Sequence, residues 1–253
     1  SSPTPLDIWV PSGPYIKPQK LDQFALGYYT KVKEVKLESE VFYKKIKNRL
    51  DYIDGADLVA NDNIETVILP GISRAYGMEL LLRKNSGRHK YWIAYTLSKS
   101  EQKTPGRNSN ENGINMSKWY NTPYDKTHDF SINSEYNINK KLKIVGNFIF
   151  QTGQPTNYPN SQYNYMNLNV PNYGERNSQR LPNYHRLDIN LTLTPNRNGK
   201  KIESSWVFGI YNIYDRDNAS SIIFRRNNET LKNEAVQISI FGIVPSVTYN
   251  FKF

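Results

Sequence analysis

The chain has 253 residues, 38% hydrophobic and 13% aromatic, with no Cys. That excludes a disulfide framework, a thiolate metal site and a thiol nucleophile, and no apolar run approaches the ~18 residues of a membrane-spanning helix. The net charge is +10, but Lys and Arg are spread through the chain without a dense stripe, which argues against a nucleic-acid partner.

Residues Ser1 to Pro18 are polar and proline-rich, unlike a secretory leader. A leader is therefore expected to have been removed, or the chain to be a piece of a longer protein. The mean hydropathy is that of a water-soluble domain. A membrane β-barrel shares that average, because only alternate residues of its strands meet lipid.

The residue pattern has period two, the signature of strands. A first strand is expected at about 23–32. At about 35–46, Val35, Leu37, Val41 and Tyr43 oppose Lys36, Glu38, Glu40 and Lys44. At about 72–84, Tyr76, Met78, Leu80 and Leu82 oppose Ala75, Gly77, Glu79 and Arg83. At about 91–101, Tyr91, Ile93, Tyr95 and Leu97 oppose Trp92, Ala94, Thr96 and Ser98. Strands at about 128–138 and 141–152 set Phe130, Ile132, Phe148 and Phe150 against Asp129, Ser131, Asn133 and Asn147. At about 184–194, Leu187, Ile189, Leu191 and Leu193 oppose Arg186, Asp188, Asn190 and Thr192. A less clean strand is expected at about 203–226, bent near Asp215–Asn218, with the faces of Trp206 and Tyr211 open. The last strand sets Val247, Tyr249, Phe251 and Phe253 against Ser246, Thr248, Asn250 and Lys252. Such a strand separates two different solvents.

The connections alternate in length. Short turns are expected at about 32–35, 85–90, 138–141 and 195–202, and longer loops at about 47–71, 102–127, 154–183 and 227–235. Bacterial outer-membrane barrels sort their connections this way, with tight periplasmic turns and large extracellular loops. The C-terminus is then expected on the periplasmic side and the long loops outside. Nine strands starting outside and ending inside cannot close alone where even counts are the rule. The chain is expected to be completed by further strands, because an open edge leaves unpaired backbone in lipid.

Several stretches resemble one family. Pro5 to Pro11 and Ile16 to Gln19 look like a loop leading into a late barrel strand. Gly71 to Leu82 resembles a Gly-x-Glu strand, Tyr95 to Ser98 a Tyr-Thr-x-Ser strand, and Asp125 to Asp129 an Asp-x-x-His-Asp strand start. Tyr184 to Asp188 resembles an Arg-x-Asp strand start, Tyr211 to Tyr214 with Asp217 and Asn218 a penultimate strand, and Pro245 to Phe253 a terminal one. In this order they resemble the C-terminal barrel of TonB-dependent outer-membrane receptors, particularly those of the Bacteroidota. The resemblance implies an all-β antiparallel transmembrane barrel of 22 strands around a plug. This chain, 1–253, would supply about nine C-terminal strands, with 1–22 a loop segment and the plug elsewhere. It further implies nutrient import energised through the TonB complex, outer-membrane lipid as a partner, and room for a surface lipoprotein partner. A plugless porin and an outer-membrane scaffold share the same wall pattern, and the upstream sequence separates them.

No cofactor, metal site or enzymatic constellation is expected: His89, His128 and His185 form no pair at metal spacing. Candidate ligand contacts are the loop aromatics and arginines Trp119, Tyr120, Tyr124, Tyr158, Tyr163, Tyr165, Tyr173, Arg176 and Arg180, which give contact area at low entropy cost or pack the loops together. Lumen-side Glu79, Arg83, Arg186 and Asp188 are expected to pair with one another or with a plug. Tyr249, Phe251 and Phe253 are expected to carry a barrel-assembly signal and to sit in the aromatic girdle.

Overall fold

The computed structural model describes residues 11–58, 61, 63–166, 168–195, 203–227, 229 and 233–252. Nine long strands form one antiparallel sheet: β1 (Lys20–Val32), β2 (Val35–Tyr52), β3 (Ile68–Lys84), β4 (His89–Lys103), β6 (His128–Asn137), β7 (Leu142–Gln151), β12 (Tyr184–Leu193), β13 (Glu203–Tyr211) and β16 (Val244–Lys252). Each pairs with the next in chain order, and the sheet does not close: β1 and β16 are its two edges. Short strands decorate the connections: β5 (Tyr120–Asn121) on β4, β8 (Pro155–Thr156) with β11 (Gln179–Arg180), β9 (Pro159–Tyr165) with β10 (Leu168–Tyr173), and β14 (Ala219–Arg226) with β15 (Asn233–Ser239).

The register turns the period-two pattern into two faces. One cross-strand row reads Leu37, Leu82, Ile93, Ile132, Phe148 and Leu187. Another reads Leu191, Phe208 and Val247. These side chains are not buried against a second layer. On interior strands Val41 is 52% exposed, Phe208 44% and Leu97 37%, whereas the buried apolar residues among those described are only Ile16, Ile68, Leu69, Ile114 and Tyr120. An exposed apolar surface of this extent requires an apolar solvent. From Lys84 to Arg74 the outward face climbs about 33 Å at about 3.3 Å per residue. A tilt of about 40° reduces that to about 25 Å, the height of a barrel's apolar band.

Aromatic side chains rim this band. Tyr43 and Tyr76 are register partners near one border. At the other border Trp206 packs on Tyr249 at 4.7 Å, and Tyr249 stacks on Phe251 at 5.9 Å. Tyr211 takes the opposite face from Trp206. Its ring lies 4.0 Å beneath the Arg186 guanidinium carbon. Phe253 lies outside the described residues, as do Pro5 to Val10 of the leading loop motif. The inward face carries ion pairs, Arg83 with Glu38 at 3.0 Å and Lys90 with Glu135 at 3.3 Å.

Two expectations need correction. The stretch 203–226 is not one bent strand. Asn212 and Asp215 both take φ of 52°, a left-handed conformation that Asn and Asp tolerate, and the chain leaves the wall after Tyr211. Residues 219–226 instead pair with β15 in a separate hairpin. The connection expected at 227–235 is thus the tip of that hairpin within a connection of 212–243. The loop expected at 47–71 is also shorter, 53–67, because β2 and β3 stay paired beyond their last apolar outward residues.

The wall predicts an alternating tolerance. In the complete protein, Ile132→Arg places a charge at mid-band and should destabilise it by about 2–4 kcal/mol. Ser131→Arg, one residue away on the inward face, should do far less. Urea titration in lipid vesicles, read by heat-modifiable gel migration, checks this, and equal losses would contradict the two-faced wall.

Candidate functional site at the long-loop end

Connections 53–67, 104–127, 152–183 and 212–243 all emerge at one end of the sheet. Asp51, near the end of β2, is the hub. Its carboxylate accepts from Gln102 Nε2 at 2.5 Å, Tyr120 Oη at 2.6 Å and Arg176 Nη1 at 2.9 Å. Tyr120 is buried, and its hydroxyl also bonds Gln102 Nε2 and Thr104, each at 2.8 Å. Burial and the neighbouring Asp51 charge push the Tyr120 phenol up, so it stays a proton donor. Beneath this network pack Leu69 and Ile114.

Arg176 joins three connections. It donates to Asp51, to the Tyr52 carbonyl at 2.6 Å and to Asp54. Its own backbone is held by Asn115, whose amide accepts from Arg176 N at 2.8 Å and donates to Arg176 O at 3.1 Å. Asn115 begins a left-handed turn with Met116 and Ser117, at φ of 49°, 55° and 59°. Such a run is unfavourable for L-residues, and the paired amide holds it. Arg180 secures the base of the same loop. It ion-pairs with buried Asp125 and donates to the Gly153 carbonyl at 2.9 Å. Asp125 also caps Ser100 N at 2.5 Å.

Further along the rim, the Asn218 side chain imitates a strand partner. It accepts from His185 N at 3.1 Å and donates to His185 O at 3.0 Å. Buried Asn212 bonds Arg216 in both directions, while its backbone N–H donates to Asp188 at 2.9 Å. Asp188 pairs with Arg186 at 2.9 Å, and Arg186 donates to the Tyr184 and Tyr211 hydroxyls at 2.8 and 2.7 Å.

The candidate residues therefore divide. Tyr120, Arg176 and Arg180 are engaged within the chain as above. Trp119 covers the Arg74 guanidinium carbon at 4.1 Å, on the outer side of the wall. Tyr158 packs edge-on to Phe224 at 5.5 Å, and burial raises its hydroxyl. Tyr124, Tyr163, Tyr165 and Tyr173 are 73%, 56%, 61% and 48% exposed. Tyr173 lines an open cleft of about 410 Å³ between the two loop hairpins, with Pro159, Gln162, Pro171, Phe224 and Arg225. Pattern reading missed Asp51, Asn115 and Asn212. The available signal was the Asn content of the loops, since Asn tolerates left-handed φ.

The three histidines sit on the outer face, each bonded to a hydroxyl at 2.9 Å: His89 to Ser134, His128 to Tyr95 and His185 to Tyr214.

No protein-family model matches the sequence, and no curated protein matches it significantly. Solved structures do match. The ferric-catecholate import receptor Fiu of Escherichia coli K12 superposes with a TM-score of 0.58 at 18% identity, over 93% of this chain and 28% of that receptor. The ferripyoverdine receptor of the Pseudomonas aeruginosa outer membrane gives 0.60 at 9%, over 93% and 27%. The ferric citrate transporter FecA gives 0.53 at 15%, over 93% and 31%. What is shared is the fold: the sheet matches part of the outer-membrane barrel wall of these proteins. The chain spans less than a third of the length of these three proteins.

The Arg176 clamp has a measurable consequence. Arg176→Ala should leave the barrel assembled but weaken loop docking by about 1–3 kcal/mol, the effect of unpartnering part-buried polar groups. Protease cleavage within 152–183 of the purified, folded protein should rise about fivefold or more. Unchanged cleavage would show that the clamp does not hold the loop.

Proposed function

We propose that this chain is the C-terminal wall of an outer-membrane receptor that captures a scarce nutrient at its long-loop end and imports it by TonB-coupled transport. The observation carrying the proposal is the open nine-strand sheet, apolar outside and ion-paired inside, whose long connections all gather at one end. In this reading the long loops face the exterior and the C-terminus faces the periplasm. Further strands from the same protein close the sheet, and a plug fills the lumen. The likeness to receptors for ferric chelates supports import as the activity.

Ligand contact is assigned to Tyr124, Tyr163, Tyr165 and Tyr173, the exposed members of the candidate set. Rigid aromatic rings suit capture of a bulky hydrophilic ligand. This chain has no Cys, so an introduced thiol has no competitor among these residues. Tyr124→Cys in the complete protein should label with a membrane-impermeant maleimide on whole cells. Labelling only after lysis would reverse the orientation. Growth of a deletion strain across limiting ferric chelates and glycans should reveal one dependent nutrient. Tyr163→Ala with Tyr165→Ala and Tyr173→Ala should lower its uptake about tenfold without lowering surface abundance. Full growth of the deletion strain on every such source would overturn the import reading.

A further inference from the structure

Beyond the last aromatic residues, the outer face of β1–β4 turns basic. The register sets Lys20 opposite Lys47, Lys47 opposite Ile72, and Ile72 opposite Lys103. The next row toward the band runs Asp22, Lys45, Arg74 and Glu101, and below it lie Phe24, Tyr43, Tyr76 and Lys99. All these positions share the parity of Val41 and Met78 in the apolar band, so they continue the same outward face. Six cations thus meet two carboxylates. Arg74 pairs with Glu101 at 2.7 Å and Lys47 with Asp22 at 3.8 Å. Among the described residues, Lys20, Lys45 and Lys103 make no ion pair. Two like-charged pairs, Lys20 with Lys47 and Lys45 with Arg74, face each other directly, an arrangement that destabilises a sheet unless an anion intervenes. Lys47 and Lys103 also flank an outward cleft of about 410 Å³ lined by Pro70, Ile72 and Pro105. The corresponding end of β6, β7 and β12 presents His128, Phe150 and His185, so the outward strand positions there carry no Lys or Arg, and Arg216 of the following connection is the cation beside His185.

We infer that this flank binds the phosphate groups of a phosphorylated glycolipid in the outer leaflet, whose acyl chains lie along the band below. Position selects this occupant: the cations begin where the apolar band ends, at headgroup depth. Lysines on a flat wall give several point charges rather than one fixed fork, which suits an anionic headgroup whose phosphates are spaced apart. The inference rests on the outward orientation proposed above.

The complete receptor, purified in detergent, is titrated with a bisphosphorylated glucosamine-disaccharide lipid and with its dephosphorylated form, and occupancy is read by native mass spectrometry. Wild type should retain the phosphorylated lipid selectively, and less so at high salt. The K20Q/K47Q/K103Q variant should lose affinity by about fivefold for each lysine removed. K33Q/K140Q/K141Q, which removes equal charge at the short-turn end, should bind normally. Heat-modifiable migration confirms that each variant is folded, and K103Q alone serves if the triple variant is not. Equal retention of both lipids, or full retention by the folded variant, would overturn the inference. The binding assay reads the patch whichever way the protein faces, whereas whole-cell labelling at Tyr124 reads orientation, so the two can fail separately.

Discussion

Hydrocarbon offers a peptide group no hydrogen-bond partner, and each unpaired group there costs several kcal/mol. The wall satisfies that constraint strand by strand. From β1 to β16 each strand pairs with its chain neighbours, in registers that run unbroken through the apolar band. Continuous pairing fixes the alternation, because one residue of slip would carry Ile132, Phe148 and Leu187 to the other face. It also accounts for the tight turns at one end, such as Lys33 and Glu34 between β1 and β2. At the outer strands the constraint stands open: β1 and β16 each show a row of backbone groups on one side, which closing strands would pair.

Outside the band the same rule is met by side chains. Asn115 and Asn218 each present an amide to both backbone groups of one residue, Arg176 and His185 respectively. They supply what a neighbouring strand would supply inside the band. Asp51 and Asp125 are carboxylates with little contact with water, and each is held by an arginine from the 152–183 connection together with other donors. Removing one partner from such a group is costly. The large loops are thereby docked to the rim, and the two outer hairpins project beyond it with Tyr163, Tyr165 and Tyr173 exposed.

Most of the wall was legible because a strand between two solvents writes its faces into alternate residues. Val247, Tyr249 and Phe251 did so cleanly, and so did Leu187, Ile189 and Leu191. Legibility failed where the solvents become the same. Beyond Tyr43 and Tyr76 the two faces no longer meet different solvents, so Lys47 to Tyr52 and Ile68 to Gly71 looked like loop although the ladder continues. It failed again after Tyr211, where Asp215 and buried Asn212, both left-handed, redirect the chain, and Ile222, Ile223 and Phe224 looked like a continuation of the wall. The loop network was least legible. The pairing of Asp51 with Arg176 spans 125 residues and leaves no local period.

The wall has lipid on one side and a polar lumen on the other. Single cysteines placed in turn from Arg186 to Leu193 on β12 of the complete protein, in native outer membranes, test it most directly with a water-soluble maleimide. Labelling is expected at Arg186, Asp188, Asn190 and Thr192 and protection at Leu187, Ile189, Leu191 and Leu193. Labelling at both parities, or at neither, would contradict it.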